Sequence, residues 1–198
     1  MLKRIFDMLI AGTGLLILSP LLVLMALWIK FDSAGPVFYR QERVGRFGKL
    51  FRIHKFRSMT HAQDSGAPQL TVAGDARITS AGRFLRASKL DELAQLVDVV
   101  QGNMSLVGPR PEVPRYVAHY PQDVRNKVLS VRPGITDFAS IEYRDESRLL
   151  AQATDPEREY LEVVMPAKLR YAQRYVDEAS LLTDLKLIFR TLKALALH

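Results

Sequence analysis

The longest apolar stretch of the chain runs from Met8 to Ile29, with polar side chains only at Thr13 and Ser19. As one straight helix it would measure roughly 33 Å, about the thickness of a bilayer core. A single spanning helix is the plain expectation. A signal peptide fits less well, because the run continues past any cleavage point and no A-x-A-like site follows. Ser19-Pro20 sits at the middle of the run. Proline removes a backbone donor and crowds the preceding turn, so a helix kinks there, and a serine hydroxyl can satisfy the freed carbonyl. Both flanks are basic, with Lys3 and Arg4 before the run and Lys30, Arg40, Arg43, Arg46 and Lys49 after it. Basic flanks favour the cytoplasmic side. A helix broken at its midpoint, with two arms of roughly 16 Å entering and leaving by one face, satisfies the proline and the charges together. On these features alone the hairpin and the spanning helix stand level.

Asp32 to Pro36 is a turn-rich exit from this segment. Val37-Phe38-Tyr39 reads as a short strand, Gly45 and Gly48 as a turn, and Leu50 to Met59 as a second strand. On that strand Phe51, Ile53, Lys55 and Arg57 share a face by the two-residue period. The basic pair suits acidic lipid head groups or, more sharply, a phosphate pocket; spacing favours the former. His61 to Gly74 is polar around Ser65-Gly66-Ala67-Pro68 and reads as a mobile loop, with His61 at the surface. Ser88-Lys89-Leu90-Asp91 resembles a capping box opening a helix that Gly102 closes. Its expected buried stripe is Leu90, Leu93, Val97 and Val100. Asp91, Gln95 and Asp98 lie on another face, with Glu92 beside Asp91.

Toward the C-terminus, Thr154-Asp155-Pro156 reads as a helix start and Pro166 as an interruption or a new beginning. Leu181, Leu185, Ile188, Leu192 and Leu195 form one stripe of a last helix, away from Asp184, Lys186, Arg190 and Lys193. Core packing and an interfacial position are equally compatible with it. Tyr143-Arg144-Asp145-Glu146 reads as a surface turn, with sugar or metal contact as the second reading.

Composition narrows the chemistry. The 198 residues suit one domain with its own core. No cysteine is present, which excludes disulfides, thiolate metal sites and a cysteine nucleophile. A net charge of +7 favours anionic partners: nucleic acid, acidic membrane or phosphorylated substrates. Arg77, Arg83, Arg86 and Lys89 precede the acidic pair, and Gly108-Pro109-Arg110-Pro111 and Arg132-Pro133-Gly134 follow it. A helix start amid arginines suits a diphosphate. Acidic residues in a first turn also simply stabilise a helix dipole. The sharper reading gives one carboxylate the attack on phosphorus and the other a share of Mg²⁺. There is no P-loop and no G-x-G-x-x-G. A basic module tethered to the membrane, binding acidic lipid or nucleic acid without catalysis, is the runner-up. A catalytically inert structural subunit comes third. No nucleic-acid motif supports the runner-up.

Four stretches in order carry a resemblance: Lys55-Phe56-Arg57-Ser58-Met59, Leu90-Asp91-Glu92-Leu93, Gly102 to Pro111, and Arg132-Pro133-Gly134-Ile135-Thr136. They are similar to the small monotopic phosphoglycosyl transferases of the bacterial sugar transferase family, from the N-terminal segment to the last helices. The resemblance implies an α+β, mainly helical fold. Residues 1–31 would form a re-entrant hairpin broken at Ser19 and Pro20, and residues 32–198 a catalytic domain on the cytoplasmic face of the inner membrane, with short strands and amphipathic interfacial helices. Both termini would be cytoplasmic. Asp91 would attack the β-phosphate of a UDP-sugar, release UMP and carry the phosphosugar to polyprenol (undecaprenyl) phosphate in a ping-pong sequence. That reaction opens exopolysaccharide, O-antigen, capsule or glycoprotein-glycan assembly. Mg²⁺ would be the cofactor, with Glu92 as the main ligand and Asp91 beside it. Arg86 and Arg110 match positions expected to bind substrate phosphate; Lys55, Arg57 and Arg132 match more loosely. The implied partners are the UDP-sugar, the polyprenol phosphate and membrane lipids, with no nucleic acid; self-association into a homo-oligomer stays open. Three departures stand out. Ala94 replaces a usual proline and should leave a more regular helix; Asp137 to Ser140 and Gly74 to Arg77 bear on which sugar is used. The resemblance is to the minimal catalytic form, in which the longer members' extra membrane helices and accessory domain are not expected.

Overall fold

The computed structural model describes residues 1–60, 70–72 and 74–196. Most of the expected 61–74 loop, including His61, lies outside them. The fold is mainly helical α+β. It opens on one long apolar helix, α1 (Leu2–Asp32). The expected break is not a break in secondary structure, because α1 stays helical through Pro20. Ser19 Oγ donates to the Leu16 carbonyl at 2.8 Å, which is the carbonyl left without a donor by Pro20.

Both ends of α1 are fastened to one body. At the start, Lys3 reaches Asp184 at 2.6 Å, and Arg4 Nη1 donates to the Val99 carbonyl at 2.7 Å. Buried Asp7 accepts from Ser105 Oγ and the Leu106 amide. At the finish, Arg57 donates to the Ile29, Ser33 and Ala34 carbonyls, and Asp32 accepts from the Ala81 amide. Between these clamps Leu16, Ile17, Leu21, Val23 and Leu24 are exposed. The helix is long and apolar enough to cross a membrane, and only 11% of its most apolar stretch is buried.

After α1 comes a hairpin of β1 (Phe38–Val44) and β2 (Leu50–Phe56), antiparallel with Phe38 opposite Phe56 and Val44 opposite Leu50. The first strand is longer than Val37-Phe38-Tyr39, because residues as polar as Arg40 and Glu42 continue the pairing on a largely exposed edge. Helix α2 (Ser80–Ala87) follows, capped by Thr79. Gly82 lies so close to Ser58 that a Cβ would overlap the Ser58 backbone.

The expected capping box does not form. Ser88 ends α2, its hydroxyl donating back to the Phe84 carbonyl at 2.7 Å. Lys89 then turns through the left-handed region (φ 57°) into a tight 3₁₀ turn, Leu90–Gln95, which continues as α3 (Leu96–Gln101). Gly102 (φ 88°) closes α3 as expected. Ala94 therefore does not give a more regular helix. The buried face also differs from the stripe expected for one continuous helix: Ala94, Leu96 and Val99 are buried, while Val100 is exposed. The changed pitch of the 3₁₀ turn rotates the face and draws Asp91, Gln95 and Asp98 inward.

Strands β3 (Ser105–Val107) and β4 (Gly134–Thr136) pair in parallel. The crossover between them holds α4 (Pro114–Val117) and α5 (Gln122–Val128). Then come α6 (Phe138–Glu142), α7 (Glu146–Ala151), α8 (Pro156–Glu159), α9 (Met165–Glu178) and α10 (Leu181–Ala196). Asp155 caps α8 through the Glu157 and Arg158 amides, as the Thr-Asp-Pro start predicts. A π-helical turn, Tyr160–Val164, leads into α9 with Pro166 in its first turn, so the proline passes without a break. The capping box that does form is Asp137 with Ser140, opening α6. One core cluster joins the first half of α1 to α3, β3, α9 and α10, and another joins Met25 and Ile29 to Phe56, Leu85 and Ala94. On α10, Asp184 and Leu187 are buried, whereas Leu182, Leu185, Phe189 and Leu192 face outward as one stripe.

Candidate active site

The 3₁₀ turn delivers two adjacent carboxylates to different surroundings. Asp91 is 2% exposed. Its Oδ2 lies 2.9 Å from Lys55 Nζ, and its Oδ1 is buried with no hydrogen-bond partner among the described residues. Glu92 takes both arms of the Arg110 guanidinium, Nη1 donating to Oε2 at 3.0 Å and Nη2 to Oε1. Lys55 Nζ also stands 3.3 Å from Glu92 Oε1. Burial alone would push the Glu92 carboxyl up, but the charges of Arg110, Lys55 and Lys89 outweigh it and hold the group well below the usual range. Arg110 is correspondingly raised, first by Glu92.

Each cation is placed by a backbone device. Lys55 rides on β2, and β2 is clamped to α3 by Asp98. Buried Asp98 accepts from the His54 amide through Oδ2 and from the His54 ring through Oδ1, both at 2.8 Å. Arg110 follows a junction of two glycines. Gly108 N donates to the Thr136 carbonyl at 3.1 Å, and Gly134 N to the Pro109 carbonyl at 3.0 Å. A Cβ on either glycine would overlap the other segment's backbone. The Gly-Pro-Arg-Pro and Arg-Pro-Gly stretches are thus two halves of one joint. Asp137 completes it by accepting from the Arg110 amide at 3.4 Å.

Behind Arg110 lies a second polar layer. Glu112 pairs with Arg43 at 3.2 Å and accepts from the Tyr160 hydroxyl at 2.5 Å. Burial raises the Glu112 carboxyl, but Arg43 and Lys168 bring it below its ordinary value. Glu146, from the expected surface turn, pairs with Lys168 at 2.8 Å. Nothing in the sequence pattern marks Arg43, Glu112, Tyr160 and Lys168 as neighbours, because they come from four separate elements. Asp98 was visible on the same helical face as Asp91; its partner His54 was not.

The sequence-derived phosphate residues divide. Lys55 and Arg110 meet the acidic pair. Arg57 is 4% exposed and caps the C-terminal end of α1. Arg86 stands 3.5 Å from Ser58 Oγ, and its charge helps lower Asp75 after the larger effect of Arg77. Arg132 donates to the Gly102 carbonyl at 2.9 Å, beside Arg4.

No group of three His, Cys, Asp or Glu side chains converges among the described residues. The chain offers an adjacent Asp-Glu pair with one unpartnered carboxylate oxygen. That donor set fits Mg²⁺, which commonly takes one or two carboxylates and completes its shell with water and substrate phosphates.

Comparison with known proteins bears on what this site does. A family model described as bacterial sugar transferase matches residues 1–198. The chain is 36% identical over 194 residues to the UDP-glucose:undecaprenyl-phosphate glucose-1-phosphate transferase of Escherichia coli (strain K12), covering 96% of this chain and 39% of that protein. It is 37% identical over 206 residues to a protein of the same name from Caulobacter vibrioides, covering 98% and 69%. It is 34% identical over 208 residues to the undecaprenyl-phosphate galactose phosphotransferase of Salmonella typhimurium, covering 97% and 40%. The chain thus spans about two fifths of the length of the Escherichia coli and Salmonella proteins.

Proposed function

The chain belongs to the bacterial sugar transferase family, and from that membership and the Asp91 environment we propose that it transfers a phosphosugar from a UDP-sugar to polyprenol phosphate. The observation that carries the reading is Asp91 itself. Its carboxylate is buried and countered by Lys55 on one oxygen, with the other oxygen unpartnered. That is what a carboxylate nucleophile needs, a countering cation on one oxygen and an unpartnered atom to attack with.

Asp91 Oδ1 attacks the β-phosphorus of the donor. A P–O bond to aspartate forms, the phosphoanhydride bond breaks, and UMP leaves with the bonding electrons. An oxygen of polyprenol phosphate then attacks the same phosphorus and releases the Asp91 carboxylate. Splitting the transfer lets a soluble donor and a lipid acceptor react in turn. Arg110 and Lys55 supply fixed positive charge for the diphosphate, and Arg110 keeps Glu92 ionised. Mg²⁺, held by Asp91 and Glu92, would neutralise charge on the phosphates when bound.

The membrane placement belongs to this reading. Both ends of α1 are fastened to one body while its middle is apolar and exposed. This favours a helix bent at Ser19-Pro20 that dips into one leaflet and returns to the cytoplasmic face. The outward stripe of α10 would lie in the same interface. Relatives named for glucose and for galactose are about equally similar, so likeness carries the phosphosugar class rather than one sugar.

The test is single-turnover mixing of purified protein with a UDP-sugar panel and Mg²⁺, without lipid acceptor. One equivalent of UMP and a phosphosugar adduct on the Asp91 peptide are expected, and neither with Asp91→Asn. A folded Asp91→Asn protein that still releases UMP would overturn the assignment.

A further inference from the structure

Three guanidinium groups gather near the start of α1, none in salt-bridge contact with a carboxylate among the described residues; buried Asp7 acts on Arg132 only as the smallest of the charges felt there. Arg4 donates to the Val99 and Val100 carbonyls at 2.7 and 3.1 Å, and Arg132 Nε to the Gly102 carbonyl at 2.9 Å. Arg46, at the tip of the β1–β2 hairpin, donates from Nε to the Ser130 carbonyl at 2.8 Å, while the Phe47 amide donates to Leu129. Those contacts seat the hairpin tip on the segment that leads into Arg132. Among the described residues none of the three has a carboxylate within salt-bridge distance, although the other arginines at Glu92, Glu112 and Asp75 all do. Burial, then the charges of Arg4 and Arg46, draw Arg132 below the ordinary arginine value. The carbonyls at the end of α3 offset part of this repulsion.

The surroundings of the cluster are apolar and outward-facing. Phe47 is 74% exposed at a left-handed φ of 59°, with the Arg46 guanidinium 4.4 Å from its ring centre. Leu2, Ile5 and Leu9 are exposed on the opening turns of α1. A site with guanidinium donors on one side and exposed apolar side chains beside it matches a phosphate that carries acyl chains.

We propose that Arg4, Arg46 and Arg132 bind the phosphate of an anionic phospholipid headgroup, a site separate from the Asp91–Glu92 centre. The phosphate would accept from the guanidinium N–H groups left over after the carbonyl contacts. The inference rests on the membrane placement of α1 proposed above. It gives Arg132 a lipid phosphate in place of the substrate phosphate that its motif suggests.

The experiment is thermal unfolding of the full chain in neutral detergent, with dioleoyl phosphatidylglycerol, dioleoyl phosphatidylcholine or inorganic phosphate added. Phosphatidylglycerol at about ten times its dissociation constant should raise Tm by roughly 3 °C. Phosphatidylcholine and inorganic phosphate should leave it in place. Arg46→Gln, at an exposed position, and Arg46→Gln/Arg132→Gln should lose the response from their own baselines. An equal shift with phosphatidylcholine or with inorganic phosphate, or a full shift in both variants, would overturn the site. Co-sedimentation with phosphatidylcholine vesicles separates the two readings. A chain that partitions but shows no phosphatidylglycerol shift loses this site alone; one that never partitions loses the membrane placement and the site together.

Discussion

Arg110 holds both oxygens of Glu92, and Glu92 is the neighbour of Asp91, whose buried Oδ1 has no partner among the described residues. The fork is what keeps Glu92 ionised despite burial. Its folded pKa is depressed, so it adds stability above the unfolded value of about 4.3, and that stability fades as pH falls below it. Arg110→Met removes the largest lowering influence and leaves burial, which acts upward. The acid limb of the pH–rate profile should then move to higher pH, and kcat should fall by about 10² or more. Stability near neutral pH should drop by about 2–3 kcal/mol, below the full cost of breaking a buried pair because both side chains retain some solvent. An unmoved acid limb in Arg110→Met would separate Glu92 ionisation from turnover.

Lys55 touches both carboxylates, so its removal differs from that of Arg110. Lys55→Met leaves Asp91 buried with neither oxygen countered. We expect loss of UMP release by about 10²–10³-fold, with Lys55→Arg restoring part of it, because charge rather than fork geometry is required at Asp91. Quench-flow measurement of the first turnover reads this directly. Equal failure of Lys55→Arg and Lys55→Met would mean that shape matters more than charge.

These residues also show what sequence can and cannot expose. Lys55 and Arg110 do stand beside Asp91 and Glu92, a grouping that the family motifs suggest and that residue spacing alone did not favour. Gly102 and the Asp155-Pro156 start were legible as local punctuation. The helix opening at Ser88 was not, because Ser88 and Lys89 can cap either the helix before or the helix after; the left-handed turn at Lys89 decides the matter. Arg57 reads as a phosphate ligand beside Lys55, yet the carbonyls that end α1 take it, a contact 24 residues apart in sequence from Ser33. The α10 stripe was legible as an apolar face, but not which way it turns. Buried Asp184 accepts from Lys3 and from the Tyr175 hydroxyl at 2.8 Å, so a charged residue turns inward and Leu185 and Leu192 turn out.

Gly108 and Gly134 should tolerate no side chain. A Cβ at Gly134 would overlap the backbone of Gly108, and both approaches are backbone against backbone, so no rotamer can relieve them. Gly134→Ala should cost more than about 3 kcal/mol or prevent folding. Gly14→Ala is the control, since its Cβ would meet Leu96 at an ordinary 3.5 Å. Denaturation midpoints in detergent compare the two, and similar midpoints would mean the joint can open.

The bend in α1 can be tested because the chain contains no cysteine. A single cysteine placed at Leu2 or at Phe31, both exposed, labels one end of the helix. In the re-entrant arrangement an impermeant maleimide should modify both positions from the cytoplasmic face only. Pro20→Ala restores the N–H that Leu16 lacks, and Ser19→Ala removes the hydroxyl that now serves that carbonyl. Ser19→Ala alone leaves a carbonyl unsatisfied in lipid and should cost about 1 kcal/mol. The double variant regains a normal helical bond, so it should recover that stability while favouring a straight helix of roughly 46 Å. In the proposed bent arrangement, straightening the helix should pull either Arg4 from α3 or Ile29 from Arg57. The double variant should therefore lose activity, and its two labels should begin to appear on opposite faces. Labelling of the Leu2 and Phe31 cysteine variants from opposite faces, with Ser19 and Pro20 intact, would restore the spanning helix and leave the Ser19–Leu16 bond as a local repair without topological consequence.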